Sequence, residues 1–302
     1  MKTNSIFKGY IFILTAAVLF GTTGTAQMLG AKSISSWVIG AFRLIIGGPL
    51  LLAFASGRKQ AVPGHNSFLV LVASIGVVLF QFTFFAAVAR TGVATATLVS
   101  IGSSPIIAGI LGALFFKEPL GKPWTMAALL SVAGCFFLVS SGNGMIIDAK
   151  GMGLALAAGT GYAVYVVAGR GLAGQMPPAK TVGMILSWGA LMMIPFLGFA
   201  DLKELANPRV MLTLCYMGVF PTALSYFLLA RGLGAVPIAS AAVLLLVEPL
   251  VGALLGIWIL GEPLTLNSGI GMVLIFSGMA VIVMKQIPSS ISLVPTILQN
   301  KK

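Results

Sequence analysis

The sequence predicts an all-α integral membrane protein with ten transmembrane helices, arranged as two inverted five-helix repeats. Composition is the first reason: 58% of the 302 residues are hydrophobic and only 8% are charged, whereas a soluble domain is about 25% charged. The second reason is a series of apolar runs long enough to cross a bilayer. The third is a similarity between the end of the first half of the chain and the end of the second.

The apolar runs define the spans. A bilayer core of about 30 Å requires roughly 20 apolar residues in a helix. Helices are favoured over a barrel because the runs are continuous and do not alternate between apolar and polar residues. The first run follows two lysines but lacks a good cleavage site, so we expect a span and not a signal peptide. The ten expected spans are 9–29, 36–55, 67–89, 94–116, 123–141, 151–172, 181–199, 211–230, 236–260 and 267–284.

The distribution of basic residues predicts the orientation. The net charge is +12, and most lysines and arginines lie in loops on the same side as the N-terminus. Because basic loops stay in the cytoplasm, we expect a multi-pass protein of the plasma or inner membrane with both termini, including the tail 286–302, in the cytoplasm. The charge also favours contact with anionic membrane lipid. Nucleic acid is not an expected partner, because no basic-aromatic cluster is present.

The loops between the spans are short, which excludes several classes of function. No loop can hold a nucleotide-binding domain, and neither a Walker A motif nor Gly-x-Ser-x-Gly occurs. The single histidine, His65, excludes a histidine-rich metal site. We therefore expect no cofactor, no metal and no enzymatic activity. A secondary transporter is favoured, and a facilitative channel or a membrane sensor or assembly protein remains open.

An internal repeat is visible in two stretches, "SSPIIAGILGALFFKEPLGKPW" and "VEPLVGALLGIWILGEPLTLNS". One constant offset superposes Pro105 on Pro249 and the first "EPL" on the second. The chain is thus expected to contain two five-span repeats, 8–141 and 150–285. Since five is odd, the second repeat must enter the membrane from the opposite side. Inverted repeats are typical of secondary transporters with a substrate site near the midplane.

These features resemble the EamA family of the drug/metabolite transporter superfamily. The resemblance rests on two five-span halves, each with a proline in its fourth span and "KEPL" or "GEPL" at the end of that span. It implies alternating-access export of a small metabolite such as an amino acid, an amine or a drug-like compound, although some members import. It also implies that spans 1, 3, 4, 6, 8 and 9 line a central cavity while spans 5 and 10 pack peripherally.

Glu248, in "LLLVEPLVG", is the deepest acidic residue of the chain. A charge near the bilayer centre is expensive, at roughly 2.5–3.5 kcal/mol on insertion scales. Pro249 cannot donate to the carbonyl of Leu245, so we expect a kink with a free acceptor. Glu248 then serves either as a protonation or substrate-amine site, or as a local cap on the kink. Ser104 occupies the equivalent position in the first repeat.

Other polar residues within the spans are candidates for substrate contact, each with helix packing as its alternative role. Arg43 is expected to attract a carboxylate, to pair with Glu248, or to reach loop carbonyls. Gln81 is an amide among aromatic residues, and hydroxyls of the first span, such as that of Thr22, can also reach a cavity. The remaining candidates for binding or coupling are Ser104, Tyr162, Tyr165, Ser225 and Tyr226.

A second set of residues is predicted to break helices or to form gates. The acidic residues of the two "EPL" motifs would lie on opposite sides of the membrane, and two glycines of the ninth span would let helices slide during transport. The expected partners are a small-molecule substrate and membrane lipid, and homodimerisation remains open. The set consists of Pro105, Pro249, Glu118, Pro119, Glu262, Pro263, Gly252 and Gly256.

Overall fold

The structure, a computed structural model, describes residues 2–55, 66–117, 121–139, 148–173, 175–200, 203–233, 244–245 and 247–286. Within these ranges the regular secondary structure is entirely helical. The α-helices are α1 (Lys2–Gly21), α2 (Thr23–Gly30), α3 (Ser36–Ala55), α4 (Ser67–Thr91), α5 (Val93–Phe116), α6 (Lys122–Val139), α7 (Ala149–Gly171), α8 (Pro178–Met193), α9 (Pro208–Gly218), α10 (Ser225–Leu233), α11 (Val247–Leu260) and α12 (Leu266–Gln286).

Seven helical segments are long and apolar enough to cross a membrane, counted over the described ranges. They correspond to the first four expected spans and to the sixth, seventh and eighth. Shorter apolar helices, Trp124–Gly134, Leu250–Leu260 and Gly269–Gly278, fall within the remaining three expected spans. The prediction of an all-helical membrane protein is thus confirmed, while the count of ten spans stays a prediction.

The eighth expected span is not a uniform α-helix. Residues Val219–Leu224 form a π-helical turn between α9 and α10. Pro221 explains the irregularity, because it has no N–H to donate to the carbonyl of Met217. The hydroxyl of Thr222 donates to that carbonyl instead, at 2.8 Å. Such π-helical turns are often found at functional sites.

Polar side chains cap the helices where they begin. Asn66 accepts a hydrogen bond from the N–H of Leu69 at the start of α4. Asp148 does the same for α7, and Asn207 for α9. These caps satisfy backbone donors that have no partner within the helix. They place the helix starts at positions where the sequence changes from polar loop to apolar run.

The helices pack through small residues. The α4–α7 contact includes a reciprocal close approach, because a Cβ added to Gly76 would lie 2.7 Å from the carbonyl of Gly161, and one added to Gly161 would lie 2.6 Å from the carbonyl of Gly76. Lipid tails are as apolar as the side chains, so the hydrophobic effect does not hold membrane helices together. Close backbone contact of this kind stabilises them through van der Waals packing. Further contacts join α3 to α8, α5 to α7 and α6 to α12. Peripheral side chains such as Trp258 and Phe115 are largely exposed, as expected for a lipid-facing surface.

Candidate functional site

Glu248 lies on helix α11, which the structure describes from Val247 to Leu260. On the other side of residue 246, Leu244 and Leu245 are helical as well. The kink expected at Pro249 stays a prediction. The carbonyl of Glu248 packs on α1, where a Cβ added to Gly21 would be 2.7 Å from it.

The carboxylate of Glu248 has charged and phenolic neighbours. It lies within electrostatic range of Arg43, Tyr162 and Tyr226. Its side chain is only partly buried, as are those of the three predicted tyrosines. It forms no ion pair and no side-chain hydrogen bond within the described ranges. The arrangement therefore brings three other predicted residues near a carboxylate that has no described hydrogen-bond partner.

The two tyrosines near this carboxylate pack against further aromatic rings. Tyr226 of α10 packs edge-on against Phe20 of α1, with ring centroids 4.9 Å apart. Tyr162 of α7 contacts Phe80 of α4 at 6.0 Å and Tyr165 at 5.9 Å. Rings of α1, α4, α7 and α10 thus pack around Tyr162 and Tyr226. Aromatic faces next to an acid suit an organic cation, through cation–π attraction and charge pairing.

Arg43 is buried, and two of its five N–H donors bind other groups of the protein. Its Nε donates to the hydroxyl of Thr222 at 2.7 Å, and Nη2 donates to the carbonyl of Pro221 at 3.2 Å. Its guanidinium lies 5.8 Å from the centre of the Phe85 ring. Arg43 and Glu248 interact electrostatically without forming an ion pair in the structure. The π-helical turn therefore holds the guanidinium beside the site, and it supplies the carbonyl that Arg43 binds.

Two buried amides lie on α4 and α2. Gln81 is buried, and its Oε1 has no hydrogen-bond partner in the described part of the chain. Gln27, which the sequence analysis did not single out, donates from Nε2 to the carbonyl of Phe85 at 3.0 Å, and its Oε1 likewise has no described partner. Its signal in the sequence was an amide inside an apolar run. Among the described residues, the hydroxyl oxygens of Thr23, Thr25 and Ser100 are also buried without a partner.

Helix α5 passes through Pro105 without interruption, contrary to the expected break in the fourth span. The hydroxyl of Ser104 donates to the carbonyl of Ile101 at 2.9 Å. This is the carbonyl that would receive the N–H of an ordinary residue at position 105. Ser104 therefore compensates for the proline, which gives it a structural role at the position that Glu248 holds in the second half of the chain.

Two further predicted hydroxyls are engaged in the scaffold. Ser225 is fully buried and donates to the carbonyl of Phe220 at 2.9 Å, beside the π-helical turn. The hydroxyl of Thr22, between α1 and α2, lies 2.8 Å from that of Tyr216 on α9. The structure thus places these two predicted residues at helix contacts and not among the aromatic rings near Glu248.

The carboxylate of Glu262 caps helix α5. Its Oε1 accepts from the N–H of Val93 at 2.5 Å, and its Oε2 accepts from the N–H of Ala94 at 3.0 Å. Two glycines leave room for it. Gly92 has a φ of +82°, and a Cβ there would lie 2.7 Å from Oε1, while a Cβ on Gly256 would collide with Oε2. Glu262 follows α11, whereas the helix that it caps is α5. Its carboxylate therefore joins the end of one helix to the start of another.

The other predicted gate residues have simpler surroundings. A Cβ added to Gly252 would approach Thr97 of α5 to 3.3 Å, so α11 and α5 are close there. Pro263 is exposed. Glu118 and Pro119 lie outside the described residues.

An ion pair is present at the same end of the bundle as Glu262. Arg90, at the end of α4, donates from Nη1 to Oδ2 of Asp148 at 2.8 Å. This hydrogen bond holds the pKa of the Asp148 carboxyl below its ordinary value. The pair joins α4 to the start of α7, and both side chains are partly exposed.

Comparisons with known proteins agree with this architecture. A protein-family model described as the EamA-like transporter family matches residues 7–140 and 149–284. The uncharacterized transporter YwfM of Bacillus subtilis is 38% identical over 273 residues, covering 90% of this chain and 92% of that protein. The uncharacterized inner membrane transporter YicL of Salmonella typhimurium is 29% identical, covering 92% and 96%.

A protein of known crystal structure has the same fold. It superposes with a TM-score of 0.67 at 20% sequence identity, covering 92% of this chain and 96% of the other. The likeness supports the helical arrangement alone. The family match over most of the chain and the 38% identity to YwfM give the identification. This multi-pass membrane protein belongs to the EamA-like transporter family.

Proposed function

We propose that the protein is a secondary transporter that exports a small metabolite by alternating access, with Glu248 as its coupling or substrate-amine group. The observation that carries the proposal is the partly accessible Glu248 carboxylate, which lies within electrostatic range of Arg43, Tyr162 and Tyr226. A carboxylate at this depth requires a functional reason, because it is expensive to place there. A proton or an organic cation is the partner that suits it.

The substrate is expected to carry a positive charge or several hydrogen-bond donors. Two of the five N–H donors of Arg43 are bound by Thr222 and by the carbonyl of Pro221. The Oε1 atoms of Gln27 and Gln81 have no partner among the described residues and can accept hydrogen bonds. A small amine or an amino acid, bound through its ammonium group, fits these acceptors and the Glu248 carboxylate better than a dianion does. The tyrosine rings would contact the apolar part of such a substrate.

The alternating-access proposal rests on two inverted five-helix repeats. Two separate matches to the family model, 7–140 and 149–284, support such repeats. Packing between the halves supports them as well. Helix α3 packs on α8, which pairs the second expected span with the seventh, and α6 packs on α12, which pairs the fifth with the tenth. A two-fold axis in the membrane plane that relates the repeats would exchange the two helices of each pair. The site near Glu248 would lie between the halves.

The expected orientation places both termini in the cytoplasm, because most basic loop residues would then be inside. In this orientation the Arg90–Asp148 pair and Glu262 lie at the outer end of the bundle. The proposed location is the plasma or inner membrane, and the proposed direction is outward.

The proposal is tested in two steps. Metabolite profiling of medium from cells with and without the protein identifies the exported compound. That compound is then loaded, radiolabelled, into proteoliposomes that contain the purified chain. We expect saturable exchange of labelled for unlabelled compound, and net transport that a proton gradient accelerates. Non-saturable flux would indicate a channel and contradict the proposal.

The role of Glu248 is tested with Glu248→Gln, which keeps the size of the side chain and one acceptor oxygen but removes its charge. We expect folded protein that has lost pH-driven transport. Glu204→Gln is the control, since Glu204 is exposed and lies between α8 and α9. Transport by Glu248→Gln with an unchanged pH profile would refute the role of Glu248 while leaving the transporter proposal intact.

A further inference from the structure

The contact between Glu262 and helix α5 joins distant parts of the chain. Glu262 follows α11, whereas Val93 and Ala94 form the first turn of α5. Both carboxylate oxygens accept a backbone N–H, at 2.5 and 3.0 Å. Because the acceptor is charged and the donors lie at the positive end of a helix, both hydrogen bonds are of the stronger kind. The contact is partly buried, so water competes with it only in part.

The backbone on both sides is shaped for this carboxylate. Gly92 precedes α5 with a φ of +82°, a conformation that glycine adopts without strain. Gly256 lies on α11 against Oε2. The N–H of Glu262 itself donates to the carbonyl of Gly256 at 3.1 Å, after Gly261 has turned the chain with a φ of +70°. The end of α11 is thus folded so that the glutamate faces the start of α5.

The contact closes one end of the bundle. Helix α4 ends there, α5 and α7 begin there, and α11 ends there. The Arg90–Asp148 pair joins α4 to α7 at this end, but it is partly exposed. Below the Glu262 contact, Thr97 of α5 packs against Gly252 of α11 and is 5% exposed. Opening this end requires α5 and α11 to separate, and the Glu262 contact opposes that separation.

We propose that the Glu262 carboxylate is a releasable latch that holds this end of the transporter closed. While it binds the first turn of α5, the space between α5 and α11 is inaccessible from this side. When it leaves, the two helices part and the site near Glu248 opens to this side. The inference rests on the proposed alternating-access function, and it assigns Glu262 the role of a positioning residue that does not contact the substrate.

The test measures the accessibility of a cysteine beneath the latch. In a chain with Cys135 and Cys215 replaced by alanine, Thr97→Cys serves as the reporter, since cysteine is close to threonine in size. The purified full-length chain is placed in lipid nanodiscs and treated with a water-soluble, membrane-impermeant maleimide. We expect slow labelling with Glu262 present. Glu262→Ala should raise the labelling rate about tenfold or more, because two charge-assisted hydrogen bonds are lost.

A second variant disturbs the latch without altering the glutamate. Gly256→Ala places a methyl group where Oε2 lies and should raise the labelling rate as well. Glu262→Gln keeps one side-chain oxygen, which can still accept one of the two backbone N–H groups. Its labelling rate should therefore lie between those of the reporter chain and Glu262→Ala. Folding of each variant is checked by gel filtration and thermal unfolding, and Glu262→Gln replaces Glu262→Ala in the test if the alanine variant does not fold. The matched controls are Glu204→Ala, an exposed glutamate, and Gly269→Ala, where an added Cβ meets nothing within 4 Å.

The latch is supported if the Glu262 and Gly256 variants label faster and both controls label like the reporter chain. It is refuted if the Glu262 and Gly256 variants label at the unchanged rate, or if Glu204→Ala accelerates labelling equally, which would indicate general loosening. The labelling assay needs no substrate. A chain that labels as expected but exchanges no metabolite would therefore refute the proposed function and leave the latch standing.

Discussion

Replacing Thr222 by valine tests how the π-helical turn holds Arg43. The hydroxyl of Thr222 has two partners: it accepts from Nε of Arg43 at 2.7 Å and donates to the carbonyl of Met217 at 2.8 Å. The residue is 1% exposed. Valine has nearly the same shape, so Thr222→Val removes both hydrogen bonds with little change in packing. It removes the acceptor of a buried guanidinium N–H and one donor to the carbonyl of Met217.

The expected loss of stability follows from these two contacts. A neutral hydrogen bond contributes about 0.5–1.5 kcal/mol, and one to a charged group contributes about 1.5–3 kcal/mol. Polar contacts between membrane helices are weaker, averaging about 0.6 kcal/mol. Arg43 keeps its bond to the carbonyl of Pro221. We therefore expect Thr222→Val to lower the free energy of unfolding by about 2 kcal/mol.

The measurement compares Thr222→Val with Thr222→Ser, which retains the hydroxyl and removes only a methyl group. Both purified variants are unfolded from lipid–detergent micelles with a denaturing detergent and monitored by circular dichroism. Thr222→Ser should lie much closer to the unaltered chain than Thr222→Val does. Equal stability of the valine and serine variants would refute the reasoning, because packing alone would then explain the effect.

Three further predictions concern stability. Gly76→Leu should prevent α4 from packing on α7 against Gly161, so the yield of folded protein in gel filtration should fall sharply, whereas an equal yield would contradict the close approach. The Arg90 hydrogen bond lowers the pKa of Asp148 below 3.8; its stabilising contribution is thus present above pH 3.8 and lost as the pH falls below it. Asp148→Asn should be less stable at neutral pH and equally stable in strong acid, and a difference that persisted in acid would contradict this. Ser104→Ala should lower the thermal unfolding temperature more than Ser277→Ala, because the bond to Ile101 replaces one lost to proline.

Much of the candidate site was predictable from residue type. Glu248, Arg43 and Gln81 stood out because ionisable and amide groups are expensive in an apolar span. The structure brings Glu248 near Arg43 and two of the predicted tyrosines. Ser225 was different, because a serine in an apolar span can bond to its own helix, and it does so here. The pattern of residues in one helix does not reveal this choice.

Proline was interpreted less well than the ionisable residues. We expected breaks at Pro105 and Pro249, yet α5 continues through the first, while the second stays a prediction. An irregular turn occurs at Pro221. A proline removes one hydrogen bond wherever it lies within a helix, but neighbouring side chains decide whether the helix bends. The Ser104 hydroxyl makes up the lost bond within a continuous helix.

The sequence by itself determined that this protein lies in a membrane and that it is an EamA-like transporter. Its hydropathy requires a membrane, and its repeated proline and "EPL" motifs mark an EamA-like transporter. Each of these properties is local to a stretch of chain. The tertiary structure decided which stretches meet. Arg43 finds its acceptor 179 residues away, and Glu262 caps a helix that begins 169 residues before it. Uniformly apolar helices carry little information about which face contacts which neighbour, so these partners depend on the packing of the whole bundle.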